Sequence, residues 1–142
     1  MRELLRAYFD QLATQFGLSV PDPEATELPG EYVAPGGVLL LAWHDRGQAI
    51  GCVGVRPLAE PGCCELKRLY VSPGGRGNGA GRLLLSAAIE AAAVRHHTMR
   101  LDTYPGMKAA IALYRSAGFE QGPPYGDGAA PGLLYFSRTL AV

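Results

Sequence analysis

Two rhythms of apolar and polar residues alternate along this chain. Leu4, Leu5, Tyr8, Leu12 and Phe16 recur at helical spacing and predict an amphipathic helix over residues 2–16, with Gly17 as its stop. The rhythm breaks over 18–37, where Pro21, Pro23, Pro29, Pro35, Gly36 and Gly37 predict a loop with a short helix near 23–28. "GVLLLAWH" then reads as a strand and "AIGCVGVRPL" as its return, joined by a polar hairpin turn over 45–48 in which Gly47 can take a positive φ. Pro61 and Gly62 mark the next turn, and "CCELKRLYV" is a third strand. The first half is therefore mostly antiparallel sheet.

The helical period returns from about Gly79 to Arg95. "TMRLDTY" is a strand, and "GMKAAIALYRSAG" is a helix that Gly118 caps at its C-terminus. "FEQG" and "LLYFSRTL" close the sheet around the loop "PPYGDGAAPG". No repeat and no linker interrupts the series. The expectation is one α/β (α+β) domain over residues 1–142, with a mixed, mostly antiparallel sheet and flanking helices.

Composition narrows the classes. At 142 residues the chain fits one domain, which hides roughly 70% of the surface it would expose unfolded. Lys plus Arg number 13 and Asp plus Glu number 13, so no basic face for nucleic acid is expected. No apolar run nears the roughly 20 residues that span a bilayer, and the charged N-terminus lacks a signal-peptide core. Neither a membrane nor a nucleic acid is an expected partner, and the expected location is cytoplasmic. Cys52, Cys63 and Cys64 read as small buried apolar residues in a reducing compartment, since ordinary disulfide geometry disfavours a bridge between neighbours. His96 and His97 are adjacent at a helix end and diverge, and with His44 and the cysteines they show no metal-ligand spacing.

One stretch demands chemistry. "VSPGGRGNGAGRLLL" places five glycines within eight residues, between a strand end and a helix start. The first N–H groups of a helix have no internal partner, and the helix dipole adds partial positive charge there. Glycine lets a ligand approach with no Cβ in the way. The combination predicts an anion site, with Arg76 as a fixed cation for a phosphate. A flexible glycine-rich turn is the bland alternative. Gly74 and Gly79 have the spacing of the nucleoside-triphosphate loop G-x-x-x-x-G-K-S/T, but Ala80 and Gly81 replace its Lys and Ser/Thr. Gly75, Gly77 and Ala80 satisfy the dinucleotide pattern G-x-G-x-x-G/A, and Asp102 stands nearly where a ribose ligand would. Against that reading, antiparallel hairpins precede the loop, and too little chain follows it for the second half of a dinucleotide fold.

A coenzyme A loop fits better. "RGNGAG", Arg76 to Gly81, matches Q/R-x-x-G-x-G/A, and "AAIALYRSAGF" matches A-x-x-L-Y-x-x-x-G-F. Both motifs, and the order of elements, resemble the GNAT superfamily of N-acetyltransferases over nearly the whole chain. That resemblance implies a sheet splayed at its centre between "CCELKRLYV" and "MRLDTY". It implies acetyl-coenzyme A as donor. Leu69, Tyr70 and Val71 would offer backbone hydrogen bonds to pantetheine. Arg76, Gly77, Asn78, Gly79, Ala80, Gly81 and Arg82 would hold the pyrophosphate. Many members carry an asparagine where this chain has Met107, a contact that Thr103 or Tyr104 would have to replace.

The resemblance also assigns chemistry. Glu65 is the expected base, standing where histone-type members carry a catalytic glutamate, with an exposed strand glutamate as the alternative. Tyr114 is the expected acid near the sulfur, with a core tyrosine as the alternative. Tyr125 and Asp127 lie in a loop that walls the acceptor side in this family, and could meet a cationic amine, with a plain hairpin loop of turn residues as the alternative. The expected function is direct acetyl transfer to the primary amine of a small molecule, and the alternative is a non-catalytic acyl-coenzyme A sensor. Dimers are common in the family, which leaves a homodimer open.

Overall fold

A computed structural model of the chain describes residues 36–43, 49–73, 79–126 and 132–140. The predicted helix over 2–16, the loop that follows it, the turn over 45–48, Arg76 to Asn78 and Asp127 lie outside the described residues. Eight elements follow in order: β1 (Val38–Trp43), β2 (Ala49–Pro57), β3 (Cys63–Val71), α1 (Ala80–Ala92), β4 (Thr98–Thr103), α2 (Lys108–Ser116), β5 (Glu120–Gly122) and β6 (Leu134–Thr139). The strands form one sheet in the order β1-β2-β3-β4-β6-β5. Four neighbouring pairs are antiparallel, and only β3 with β4 is parallel. This is the expected mixed, mostly antiparallel sheet. It leaves no room for the parallel βαβ sheet that the dinucleotide reading needed.

The pleat sorts the sheet's faces. Along β4, Met99, Leu101 and Thr103 are buried while Thr98, Arg100 and Asp102 are half-buried. Val55 pairs with Leu66 and Leu101 with Phe136, so apolar rows run across the sheet on one face. Both helices contribute to the core on that face. In α1 the buried residues are Ala80, Leu84, Leu85, Ala88 and Ala92, a stripe at the helical period whose alanines let the axis lie close to the strands. Val53, Met99 and Phe136 are among the most deeply buried side chains beneath it. The α1 helix ends at Ala92, short of Arg95. There the N–H groups of Arg95 and His96 both turn back to the Ala92 carbonyl, at 3.1 and 2.9 Å. His97 N–H then bonds Gly62 O at 2.8 Å, which sets the start of β4 beside that of β3.

The stop of α2 explains half of the second motif. The Phe119 N–H bonds Tyr114 O at 3.0 Å, and the Gly118 N–H bonds Arg115 O at 3.1 Å. Gly118 has φ +92°, and the Tyr114 and Phe119 rings meet edge-on at 5.9 Å. That is a Schellman cap with its apolar clasp. Tyr114 and Phe119 are thereby tied to each other by backbone and by ring. No helix among the described residues is long and apolar enough to cross a membrane.

A Cβ at Gly118 would need a left-handed backbone and would meet Arg138 Nε at 3.2 Å. Gly118→Ala should therefore lose about 1–2 kcal/mol of stability, read by urea unfolding at constant m-value. An unchanged midpoint would show that the cap relaxes without cost.

Candidate active site

The sheet opens at its centre because two strands keep their outer partners and give up each other. The parallel ladder between β3 and β4 has three rungs: Cys63 with Thr98, Cys64 with Met99, and Glu65 with Arg100. Beyond Glu65, β3 stays paired to β2 as far as Val71, while β4 stays paired to β6 as far as Thr103. A bulge starts just past the last rung. Cys52 faces Tyr70 and Gly54 faces Lys67, so Arg68 and Leu69 stand opposite Val53 alone. Arg68 takes φ +61°, rare for a residue with a side chain and worth about 1–3 kcal/mol of local strain. A bulge bends and twists its strand. Here it carries Leu69, Tyr70 and Val71 away from β4.

The splayed strand leads to the start of α1. Gly79, its N-cap, has φ +83°, and no side chain caps the helix. A Cβ built on Gly79 would meet no described residue within 4 Å. The first turn carries no acidic side chain, and Arg82 is exposed there. Ala80 is buried against the core. Gly81 has a second reason to be glycine: its Cβ would lie 3.6 Å from Leu113 and 3.7 Å from Val71, so its smallness lets α1 pack on α2 and β3. Met107 caps α2, and the Thr103 hydroxyl points to its sulfur at 3.6 Å. That hydroxyl is thus turned toward Met107.

Glu65 stands at the apex of the opening and is only 3% exposed, which sets aside the exposed-strand alternative. Arg56 Nε and Nη2 both donate to its Oε1 at 2.8 Å, a pairing the register predicts because Arg56 and Glu65 face each other across β2 and β3. Tyr125 donates its hydroxyl to Oε2 at 2.5 Å. Lys67 Nζ lies 3.8 Å from Glu65 Oε1 and 3.9 Å from Asp102 Oδ2, linking two carboxylates on the polar face. Burial pushes the Asp102 carboxyl above its usual range, against the pull of Lys67. The Tyr125 ring meets Tyr135 edge-on at 5.6 Å and lies 5.7 Å from the Arg100 guanidinium, which also pairs with Glu60.

Tyr114 lies on the other face, 7% exposed, in the same core cluster as Leu84, Leu101 and Phe136. Its helical neighbours Ala110 and Ile111 pack against that cluster, as the spacing predicts. Sequence reasoning missed Arg56 and Lys67, weighed Asp102 only as a ribose ligand, and did not foresee the bond from Tyr125 to Glu65. Strand spacing alone signalled Lys67, two residues from Glu65 and so on the same face.

The sequence profile of the Acetyltransferase (GNAT) family matches residues 2–119. The chain belongs to that family. An uncharacterized N-acetyltransferase of Schizosaccharomyces pombe is 35% identical over 139 residues, covering 97% of this chain and 85% of that protein. The IAA acetyltransferase of Azospirillum brasilense is 35% identical over 105 residues, covering 72% of this chain and 69% of that one. Among solved structures, a putative acyl-CoA N-acyltransferase of Klebsiella pneumoniae aligns with TM-score 0.76 at 28% identity, over 98% of this chain and 88% of that one. A GNAT acetyltransferase of Staphylococcus aureus shares the fold with TM-score 0.84 at 20% identity, over 99% and 93%. This acetyltransferase is thus an acyltransferase of the GNAT type.

The thiols of the acetyltransferase lie in β2 and β3. All three cysteines are buried and unbridged. Burial raises the Cys52 thiol to about 11 and the Cys64 thiol to about 12, so at neutral pH both stay protonated and poorly nucleophilic. Cys64 Sγ also donates to Thr98 O at 3.6 Å. His96 Nε2 meets Gly36 O at 2.9 Å and His97 Nδ1 meets Thr98 Oγ1 at 2.8 Å, so the two imidazoles serve separate contacts.

A disulfide reagent such as Ellman's should label none of the three thiols of the native acetyltransferase at pH 8 within minutes, and all three in denaturant. Rapid labelling of a native thiol would mean that the sheet centre opens readily.

Proposed function

We propose that this acetyltransferase moves an acetyl group from acetyl-coenzyme A directly to the primary amine of a small molecule. The observation that carries the reading is the edge of β3 that parts from β4 after Glu65, together with the start of α1, whose N-cap is Gly79 at φ +83°. A group with an extended amide-bearing arm and a pyrophosphate fits both: the strand edge suits the arm and the helix N-terminus suits the anion. In this reading the backbone of Leu69, Tyr70 and Val71 holds the arm, and Arg76 to Gly81, with Arg82, holds the pyrophosphate. Acetyl-coenzyme A supplies an acetyl thioester already activated for attack by an amine.

The chain's own residues supply proton management and exclusion of water. Tyr114 is proposed to hold a proton on its hydroxyl for the departing sulfur. The Schellman cap fixes its ring within the core, so the hydroxyl has little freedom to wander. Glu65 is proposed as the final acceptor of the amine's proton. A lysine-like amine costs roughly 4–5 kcal/mol to deprotonate at pH 7, so a fixed carboxylate nearby has work to do. Asp102, half-buried on the same face, suits the approach of a cationic amine. Inert, protonated thiols favour direct transfer over a covalent cysteine intermediate. Free cysteines fit a reducing compartment such as the cytoplasm. Residues 1–142 are read as one N-acetyltransferase domain.

The test is a panel of tyramine, spermidine, L-methionine and an alanyl peptide, with release of the coenzyme A thiol as readout. Binding of acetyl-coenzyme A with no turnover on any amine would favour the non-catalytic sensor.

Acetyl-coenzyme A should stabilise the fold by about 2.7 kcal/mol at a hundredfold excess over its Kd, and NAD should not. Gly79→Asp, which puts a carboxylate at that helix start, should abolish the shift while lowering the apo unfolding free energy by no more than about 1–2 kcal/mol. Protection by NAD alone would overturn the donor assignment.

Tyr114→Phe should lower kcat by about a hundredfold or more with little change in donor affinity, measured by steady-state kinetics and titration. A normal kcat with lowered thermal stability would return Tyr114 to a packing role.

A further inference from the structure

Glu65 is a strange place to deliver a proton directly. Its residue is 3% exposed, and both oxygens already accept hydrogen bonds. Oε1 takes two N–H groups of Arg56, with Lys67 close behind. Oε2 takes the hydroxyl of Tyr125 at 2.5 Å, a short contact of the charge-assisted kind. An acceptor amine has almost no carboxylate surface to touch. Tyr125 is different: it is half-buried, and it comes from the loop after β5, the side of the opening away from α1.

A phenol that donates to a carboxylate still has lone pairs on its oxygen. We propose that Tyr125 is a catalytic residue, the relay through which Glu65 takes the proton of the acceptor ammonium. This rests on the reading of Glu65 as the base. The step balances without a further reactant. One N–H bond of the ammonium breaks as an Oη–H bond forms, while the original Oη–H bond breaks as an Oε2–H bond forms. The amine leaves neutral, the tyrosine is unchanged in charge, and Glu65 ends protonated. No phenolate has to persist.

The surroundings suit such a relay. Burial and the negative charge of Glu65 push the Tyr125 hydroxyl well above its ordinary pKa, so it stays neutral and its proton stays on the line to Oε2. Two contacts hold the ring in place, the edge of Tyr135 from β6 and the Arg100 guanidinium from β4. The charges that face the pair are Arg56 on β2, Lys67 on β3, and Arg100 and Asp102 on β4. Arg56 and Lys67 stand against Glu65 as cationic partners, and Asp102 on the same face offers the incoming ammonium a carboxyl. Glu65 is the last residue before the strands part, so the relay sits at the apex of the opening.

The experiment is the pH dependence of kcat/KM for wild type, Tyr125→Phe, Glu65→Gln and the double variant, with the fastest amine of the panel and with acetyl-coenzyme A binding as the check on folding. Tyr125→Phe should lose at least about tenfold at pH 6–7 and recover as the amine becomes neutral at high pH. Glu65→Gln should do the same, and the double variant should fall no further than the worse single one. If Tyr125→Phe keeps the wild-type profile while Glu65→Gln does not, the relay is wrong and the base reading stands. If Glu65→Gln also keeps it, the base reading itself fails. Multiplicative losses in the double variant would separate the two residues and overturn the relay. The wild-type enzyme in mixtures of light and heavy water gives a check that needs no variant. Two protons in flight should bow the plot of kcat/KM against deuterium fraction, and a straight or flat plot would overturn the proposal.

Discussion

Three backbone rungs join β3 to β4, and in the sheet they are the joint between its two halves. Everything on the donor side depends on that ladder stopping where it does. With more rungs the sheet would close and the edge of Leu69 to Val71 would be spent on β4. With fewer, the core row of Cys64, Met99 and Leu101 would lose its register. Two features hold the stop in place. The turn at Gly62 and His97 starts both strands together, through the His97 N–H bond to Gly62 O at 2.8 Å. The bulge at Arg68 then swings β3 outward, at a local strain of about 1–3 kcal/mol. A fold of this size tolerates that strain because the rest of the strand is fully paired to β2.

The same apex holds a buried carboxylate, which needs its own account. A carboxyl group at 3% exposure is unfavourable unless its partners are close and well aimed. Arg56 and Tyr125 meet that condition from opposite sides. Removing either would leave an imperfectly paired charge, the situation that makes broken buried pairs far more damaging than absent ones. The polar face is therefore a structural unit as well as a candidate chemical one.

Much of this was legible in the sequence, and the reasons are physical. Strand "CCELKRLYV" matches β3 residue for residue because it is bounded by a Pro-Gly turn and a glycine loop. The cap at Gly118 was legible because a left-handed residue after a helical run is almost always glycine. The start of α1 after the glycine stretch was legible through its motif, and Gly79 stands there as N-cap at φ +83°. The polar face was not. Arg56, Glu65, Asp102 and Tyr125 come from three strands and a loop, and their meeting is fixed by register, which no local pattern encodes. The end of α1 at Ala92 was overrun because Ala93 to Arg95 keep helical propensity, while the tertiary bond of His97 ends the helix earlier.

β5 is three residues long, exposed throughout, and paired on one side only. An edge strand so short adds little to the stability of the whole, and the chain that leaves it is anchored instead by Tyr125 against Glu65, Tyr135 and Arg100. The start of α1 is held as tightly: Gly81 is fitted between two elements, and Ala80, Leu84 and Ala88 are buried. Sequence change is therefore best tolerated along the three exposed residues of β5, and least at Tyr125 and Gly81, which are fitted against their neighbours.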